Sequence, residues 1–520
     1  MTPLGNLHEI LEKTQVECGL KGMSLAVMHR GEIIFADGFG QRNDTEPFTA
    51  ETLMPIASMT KAFTSAAIGE LVAEGKMDWN TTPINKYLPE FAVKDPLLTS
   101  QLTLVDLLSH RTGMPDIDIA WFKNKTPRRE LIKTLRHLDH DRIPQKLGPY
   151  WKYSNTMYAI AGEAAANVAG TSWEQLVRDK ILTPLGLKNT GFAPSGMMKH
   201  GDGSGGHNYA MPYDAESLKD AQAGRFEKGY LEDILKVDAP AGDMFSNVLD
   251  LVKWGRVVLK SGELDGKQVL DKSGMKEVVT PHTIMKGKMG RGKDFALCAN
   301  YGLAWELDSY KGNNFYFHTG SLYGFRGSLA LYPDEDIVIA FLTNTHKSAL
   351  RTYIPFYIVD QLLHLPKSSE DWLSTVTIRE TQVEYETFEN LRKGATLPAR
   401  IEGTTLSHAG DLEQYTGKYS DPIMGTILIY VDNKNENNKD KGSLLMRYIG
   451  FLSKMSHYHY DTFRFAFKDF AFEMAALATF TTAPDGRITG LDIFVADDTI
   501  HFKREKDVDA TKPAVDAKKD

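Results

Sequence analysis

The alternation of apolar and polar positions changes character along the chain. Residues 7–18 carry apolar side chains at helical spacing and predict a short amphipathic helix. Residues 24–29 and 32–36 read as two strands around Arg30-Gly31, a hairpin signal. From Ser58 to Gly75 apolar residues recur at helical spacing again, and Gly75 supplies the stop. Helices are predicted over 104–109, 127–139, 156–169 and 173–181, with loops such as 201–206 between them. Strand character returns at 315–318, 328–332 and 337–342, the last two flanking the turn Pro333-Asp334-Glu335-Asp336. Residues 350–365 then read as a helix ending at Pro366. Two strands, a long helical insertion, three strands and a closing helix predict an α/β (α+β) domain. Its core is a five-stranded antiparallel sheet flanked by helices, with an inserted helical subdomain.

Beyond this the texture changes. Residues 366–407 are a polar connection with one predicted helix over 377–391. Strands are predicted at 447–449, 457–467, 476–482 and 488–494, with a turn at Pro484-Asp485-Gly486 and a polar hairpin loop over 433–440. Short strands in such a run predict a small barrel or sandwich. The expected division is a catalytic-type domain over 1–365, a linker over 366–407, an all-β domain over 408–505 and a charged, mobile tail over 506–520.

Composition narrows the partners. Lys plus Arg is 60 and Asp plus Glu is 68, a formal net charge of −8. A mildly acidic surface has no global field to attract phosphates, so nucleic acid is not an expected partner. Two cysteines, Cys18 and Cys298, cannot form a disulfide framework or a cysteine-based zinc site and read as small buried hydrophobes. The start of the chain lacks a secretory pattern, and no run reaches the ~20 apolar residues of a membrane helix. A cytoplasmic protein with no membrane partner is expected. The Gly201–Gly206 run lacks the Lys-Ser/Thr ending of a phosphate cradle and reads as a loop.

Three elements carry chemistry. In Ser58-Met59-Thr60-Lys61, positions i and i+3 share a helix face, so the amine can reach a hydroxyl that needs a base to become a nucleophile. Ser273-Gly274-Met275-Lys276 matches the same spacing, so this element alone decides nothing. Tyr153-Ser154-Asn155 precedes a predicted helix. A phenol beside an ammonium can have its pKa lowered and act as acid or base, and the Asn155 amide can hold the lysine and donate to a substrate carbonyl. The plainer role for Asn155 is to cap the helix. His318-Thr319-Gly320 stands at the end of a predicted strand. There a glycine lets a substrate backbone approach, and the Ser321 N–H can join the Ser58 N–H as oxyanion donors.

In this order and context the set resembles the serine β-lactamase-like and penicillin-binding-protein-like superfamily, in the class C and family S12 branch of esterases, D-aminopeptidases and transacylases. Leu107–Pro115, Pro240–Ser246, Asp250–Trp254, Tyr301–Trp305, Gly324–Ser328 and Leu342–Asn344 are similar to stretches of that family, and the resemblance runs over residues 7–365. The β segment opening with Tyr415-Thr416-Gly417-Lys418-Tyr419 resembles the lipocalin-like module appended to some members. The resemblance implies a site between sheet and helical subdomain, with Ser58 acylated and Lys61 and Tyr153 sharing proton transfer. Asn155, His318, Thr319, Gly320, Ser321 and Tyr323 would then surround the substrate, and no cofactor is implied. His318 replaces the lysine of many members, which weakens recognition of a substrate carboxylate. Trp121, Phe122, Tyr150, Trp151 and Tyr323 could line an acyl pocket.

The expected function is a serine hydrolase or acyltransferase acting on an ester or amide of a small molecule, with a second acceptor nucleophile as a further partner. The alternatives are a peptidase or amidase on short or D-configured peptides, a β-lactamase, and a non-catalytic binding protein that kept the fold. No Gly-x-Ser-x-Gly elbow points to an α/β-hydrolase. His137, His140 and Asp141, and His457 with His459, have ligand-like spacings but lack a third ligand, so no metal is expected.

Overall fold

Strands that are apolar at every position are covered on both faces, and this organises the first part of the molecule. The computed structural model describes residues 4–114, 117–138, 151–200, 207–286, 294–368, 371–408, 411–432, 443–470, 472–495 and 498–505. The loop 201–206, His140, Asp141, Tyr150, the hairpin loop 433–440 and the tail 506–520 lie outside the described residues. The chain divides into two compact units, Met1–Tyr385 and Glu386–Asp520.

The strands of the first unit's main sheet are β1 (Gly22–His29), β2 (Glu32–Gly40), β3 (Thr283–Ile284), β4 (Asn300–Tyr301), β5 (Glu306–Tyr310), β6 (Asn313–Leu322), β7 (Phe325–Tyr332) and β8 (Ile337–Thr343). They form one antiparallel sheet in the order β3-β4-β5-β6-β7-β8-β1-β2. The five long strands β6, β7, β8, β1 and β2 make its body, and three shorter ones extend the β6 side. Strands β7 and β8 are buried throughout. Strand β6 continues past His318 to Leu322, because Thr319–Leu322 pair with Ser328–Phe325 of β7.

The main helices of this unit are α1 (Leu7–Glu17), α2 (Thr60–Ala73), α3 (Asn155–Ala169), α4 (Val248–Leu259) and α5 (Leu350–Leu362). Leu7 and Leu11 of α1 and Leu350, Ile354 and Ile358 of α5 form one cluster with Leu25, Val27, Phe315, Ile339 and Phe341 of the sheet. Helix α4 lies against the sheet so closely that a Cβ on Gly255 would stand 2.6 Å from Leu331 Cδ2 and Val338 Cγ1. Its Trp254 ring stacks on Phe63 of α2 at 4.5 Å, which ties α2 to the sheet layer. Helix α2 follows a 3-10 turn, Ala57–Met59, and stops where Gly75 takes φ +69°. Nearly every residue of α2 is buried, consistent with a position between the sheet and the helical insertion.

The second unit holds a closed antiparallel barrel of eight strands, each paired with its neighbours in sequence. They are β9 (Gly417–Asp421), β10 (Gly425–Asp432), β11 (Ser443–Tyr448), β12 (Phe451–His459), β13 (Thr462–Asp469), β14 (Phe472–Thr482), β15 (Ile488–Val495) and β16 (Asp498–Arg504). Rings meet within it, such as Phe463 with Phe480 at 5.6 Å and Phe451 with Phe467 at 5.5 Å. The single strand expected over 457–467 is corrected to two, β12 and β13. The chain reverses at Tyr460, φ +44°, where His459 pairs with Thr462. No glycine or proline marks that turn, so the apolar alternation reads through it. Among the described residues no helix is long and apolar enough to cross a membrane.

Candidate active site

Ser58 sits in the 3-10 turn that opens α2, half-buried, at the point where the chain is held on two sides. On one side the Ile56 N–H donates to Met244 O at 2.8 Å. On the other, β6 comes so near that a Cβ on Gly320 would stand 2.1 Å from Ile56 O. Between them Ala57 adopts φ +47°, a conformation disfavoured for a residue with a Cβ. The turn is therefore held in a strained shape by its neighbours.

Lys61 lies one turn further on, with no exposed surface. Its Nζ donates to Asn155 Oδ1 at 2.7 Å, to Ala241 O at 2.8 Å and to Ser58 Oγ at 3.2 Å. The segment Pro240–Ser246 forms part of this wall. Pro240 O accepts from the Thr64 hydroxyl at 2.7 Å, and the Met244 N–H donates to Thr60 Oγ1 at 3.2 Å. Burial lowers the Lys61 pKa to about 7, against the pull of the Asp118 and Asp238 carboxylates.

Tyr153 and Asn155 reach the same point from the start of α3. The Lys61 Nζ is 4.8 Å from the Tyr153 ring centre. Ser154, not Asn155, caps the helix, its hydroxyl accepting from the Met157 N–H at 3.4 Å. Asn155 is the first helical residue, which frees its side chain to turn inward; its Nδ2 donates to Asp118 Oδ2 at 2.5 Å. The lowered phenol pKa expected for Tyr153 is also corrected. Burial raises it, hydrogen bonding with Ser58 offsets only part of that, and the Asp118 and Glu306 carboxylates add to the rise.

Around Tyr153 stands an aromatic wall. The buried His110 ring lies 4.3 Å from Tyr153, 4.9 Å from Tyr301 and 5.2 Å from Tyr158. His110 Nδ1 accepts from the Ser154 N–H at 3.2 Å, which holds the loop carrying Tyr153. Burial foremost, then the charge of Lys61, lowers the His110 pKa well below its ordinary value. Half-buried Trp151 packs at 5.9 Å from both His110 and Tyr301.

Strand β6 supplies the opposite wall. His318 is buried, with its Nε2 at 3.1 Å from the Tyr301 hydroxyl and Nδ1 at 2.7 Å from Thr319 O. Since Thr319 O only accepts, Nδ1 carries the proton and donates to it, while Nε2 lies against the Tyr301 hydroxyl. Both nitrogens thus have protein partners. Strand β5 pairs with β6 only as far as Phe317. Among the described residues no strand pairs with 319–322 on that side, which leaves an open edge beside the Ser58 turn. The two-residue turn Tyr323-Gly324 leaves its flanking pair Leu322–Phe325 hydrogen-bonded. By alternation, the N–H groups of Thr319 and Ser321 face away from β7, toward the open edge. Gly324 N–H donates to His346 Nδ1 at 3.2 Å, and Tyr323 meets Phe122 edge to face at 5.4 Å. Trp121 is fully buried.

The structure therefore brings Ser58, Lys61, Tyr153 and Asn155 to one point, with the β6 edge beside it. Ser273 and Lys276, which match the Ser-x-x-Lys spacing, are exposed on a separate short helix. Asp118, His110 and Tyr301 were not singled out as site residues in the sequence. His110 and Tyr301 fall inside stretches noted for resemblance, whereas Asp118 lies in no motif. Among the described residues no group of three or more His, Cys, Asp or Glu side chains is placed to hold a metal ion.

Comparison with known families matches residues 7–363 to the family described as beta-lactamase. The chain belongs to the beta-lactamase family. That family is one of serine hydrolases of the beta-lactamase fold. Residues 400–508 match a domain of unknown function, DUF3471, which takes in the barrel. An unguisins hydrolase of Aspergillus campestris is 27% identical over 442 residues, 82% of this chain and 77% of that protein. Among solved structures, a penicillin-binding protein homologue from Pyrococcus abyssi covers 96% of this chain and 100% of its own, at TM-score 0.58 and 20% identity. A D-amino acid amidase from Ochrobactrum anthropi SV3 covers 69% of this chain and 98% of its own, at TM-score 0.53 and 22% identity. At such identities the two structures speak to the fold alone.

Proposed function

We propose that the protein is a serine hydrolase or acyltransferase that splits an ester or amide of a small molecule through an acyl-Ser58 intermediate. The observation that carries this reading is the convergence of hydroxyl, amine and phenol beside an open strand edge. Lys61, partly neutral at pH 7, is the base. It takes the Ser58 proton as Oγ bonds to the substrate carbonyl carbon. The Ser58 and Ser321 N–H groups hold the oxyanion. The carbonyl re-forms, the bond to the leaving group breaks, and that group takes the Tyr153 phenolic proton; the Lys61 ammonium then reprotonates Tyr153. Water, or a second acceptor carrying O–H or N–H, attacks the acyl carbon. Its proton leaves through the same groups, and Ser58 regains its own.

His318 is a structural member of the β6 wall in this reading, with both nitrogens engaged. Phe122 and Tyr323 flank an uncharged acyl group. Residues 1–365 carry the chemistry, and the lipocalin-like module over 408–505 is an accessory. An amide substrate, including short or D-configured peptides, is favoured by one feature. A phenol held protonated suits an amine leaving group, which departs poorly without a proton. One relative is named a hydrolase, and one protein of similar fold is named an amidase.

The test is intact-mass spectrometry of the protein with esters, β-lactams, acyl thioesters and D-peptides. The expected result is a single adduct on Ser58 that is absent in Ser58→Ala. Turnover retained within a few-fold in Ser58→Ala removes Ser58 as the nucleophile and, with it, the proposal.

A further inference from the structure

The acyl-Ser58 chemistry needs the Lys61 lone pair to point at Ser58, and the side chains around the amine decide where it points. Neutral Lys61 has two N–H bonds and one lone pair. Three oxygens surround the nitrogen: Ala241 O, Asn155 Oδ1 and Ser58 Oγ. Two of these, the backbone carbonyl and the amide oxygen, can only accept. They take the two N–H bonds, so the lone pair is left to the third, the hydroxyl, which can donate.

This logic holds only while Asn155 presents its oxygen to Lys61. Its amide is two-ended, and turned over it would offer Nδ2 to the lone pair instead. The Asp118 carboxylate accepts from Nδ2 at one oxygen and lies 3.4 Å from the Thr156 hydroxyl at the other. A carboxylate has no proton to give, so it fixes the NH2 end of Asn155 toward itself and the oxygen toward Lys61. From this we infer that Asp118 is a positioning residue. By locking the Asn155 amide it aims the Lys61 lone pair at Ser58. The inference rests on the acyl-Ser58 reading.

Asp118 also acts through charge. The groups acting on the Lys61 nitrogen are the Asp118 and Asp238 carboxylates, the Tyr153 and Tyr158 rings at 4.8 and 5.4 Å, and the His110 imidazole. Both carboxylates favour the ammonium, while burial opposes it. Removing Asp118 therefore has two separable effects. Loss of the lock slows acylation, and loss of the charge lets Lys61 shed its proton at lower pH.

The experiment measures the acylation burst on a chromogenic ester between pH 5 and 9 for the wild type, Asp118→Ala, Asp118→Asn and Ser58→Ala. The wild-type acid limb is expected near pH 7. Asp118→Ala should be slower by roughly 10- to 100-fold, less than the ~10²- to 10⁴-fold that losing a general base costs, because Lys61 itself is still present. Its KM should stay within a few-fold and its acid limb should move to lower pH. The Asn of Asp118→Asn can still accept from Asn155 but carries no charge, so most of the rate should return while the limb stays displaced. Wild-type rates in both Asp118 variants with the limb unmoved would overturn the inference. So would equal slowing of the two with the limb unmoved, because that is damage without positioning. A burst surviving in Ser58→Ala would instead overturn the acyl-Ser58 reading.

Discussion

Gly320→Ala tests how the nucleophile is held. The added Cβ would stand 2.1 Å from Ile56 O, 3.1 Å from Ile56 C and 3.3 Å from Met59 Cε. A carbon–oxygen contact normally closes at about 3.3 Å, so the two backbones must part by about 1.2 Å. Strand β6 is fixed by its ladder to β7, where Gly320 pairs with Gly327. The turn before α2 has no such ladder beyond the short pairing of Met54–Pro55 with Ser246 and Phe245. The Ser58 turn is therefore what moves. Overpacking of this kind costs about 1–3 kcal/mol in stability. A displacement of ~1 Å at a reacting group costs ~10²-fold in rate. The assay pairs burst kinetics on a chromogenic ester with thermal unfolding. Gly75→Ala is the control. It has φ +69° but no neighbour within 4 Å, so it should lose stability and keep the acylation rate. A Gly320→Ala enzyme that acylates within a few-fold of wild type would show that the close approach of β6 does not set the nucleophile.

Two further outcomes follow from the proton inventory. Tyr153→Phe should slow alkyl esters and amides far more than p-nitrophenyl esters, whose leaving group needs no proton; equal slowing across leaving groups would remove Tyr153 as the acid. The second concerns stability. Lys61 in the folded protein titrates at about 7, against 10.5 ordinarily. Between those values the unfolded chain holds a proton that the folded one has lost, so Lys61 makes stability rise with pH. The slope approaches ~1.4 kcal/mol per pH unit. Urea unfolding at pH 7.5 and 9 should show that rise in the wild type and its absence in Lys61→Met; identical slopes would mean that Lys61 keeps its proton.

Much of this architecture is written locally. The alternating and continuous apolar runs around residues 24–36 and 325–343 specify strands because each must bury one face or both. Gly75 stops α2 because it adopts a left-handed backbone conformation at little cost. That Ser58, Lys61, Tyr153 and Asn155 meet was legible because a hydroxyl, an amine and a phenol, with an amide to hold the amine, have a common chemical use at those spacings. The barrel was legible only in outline. Its turn at Tyr460 carries no residue that breaks a strand, so nothing local distinguished one long strand from two short ones.

The chain by itself therefore determined which groups are available and which faces must be buried. Tertiary packing decided their ionisation and their direction. Whether the Tyr153 phenol holds its proton, and whether Lys61 loses one near neutrality, depends on how completely water is excluded, which no neighbour in sequence controls. Which way Asn155 points depends on Asp118, 37 positions earlier and outside any motif. A carboxylate's effect acts through space over a few ångströms, and only the folded chain sets those distances.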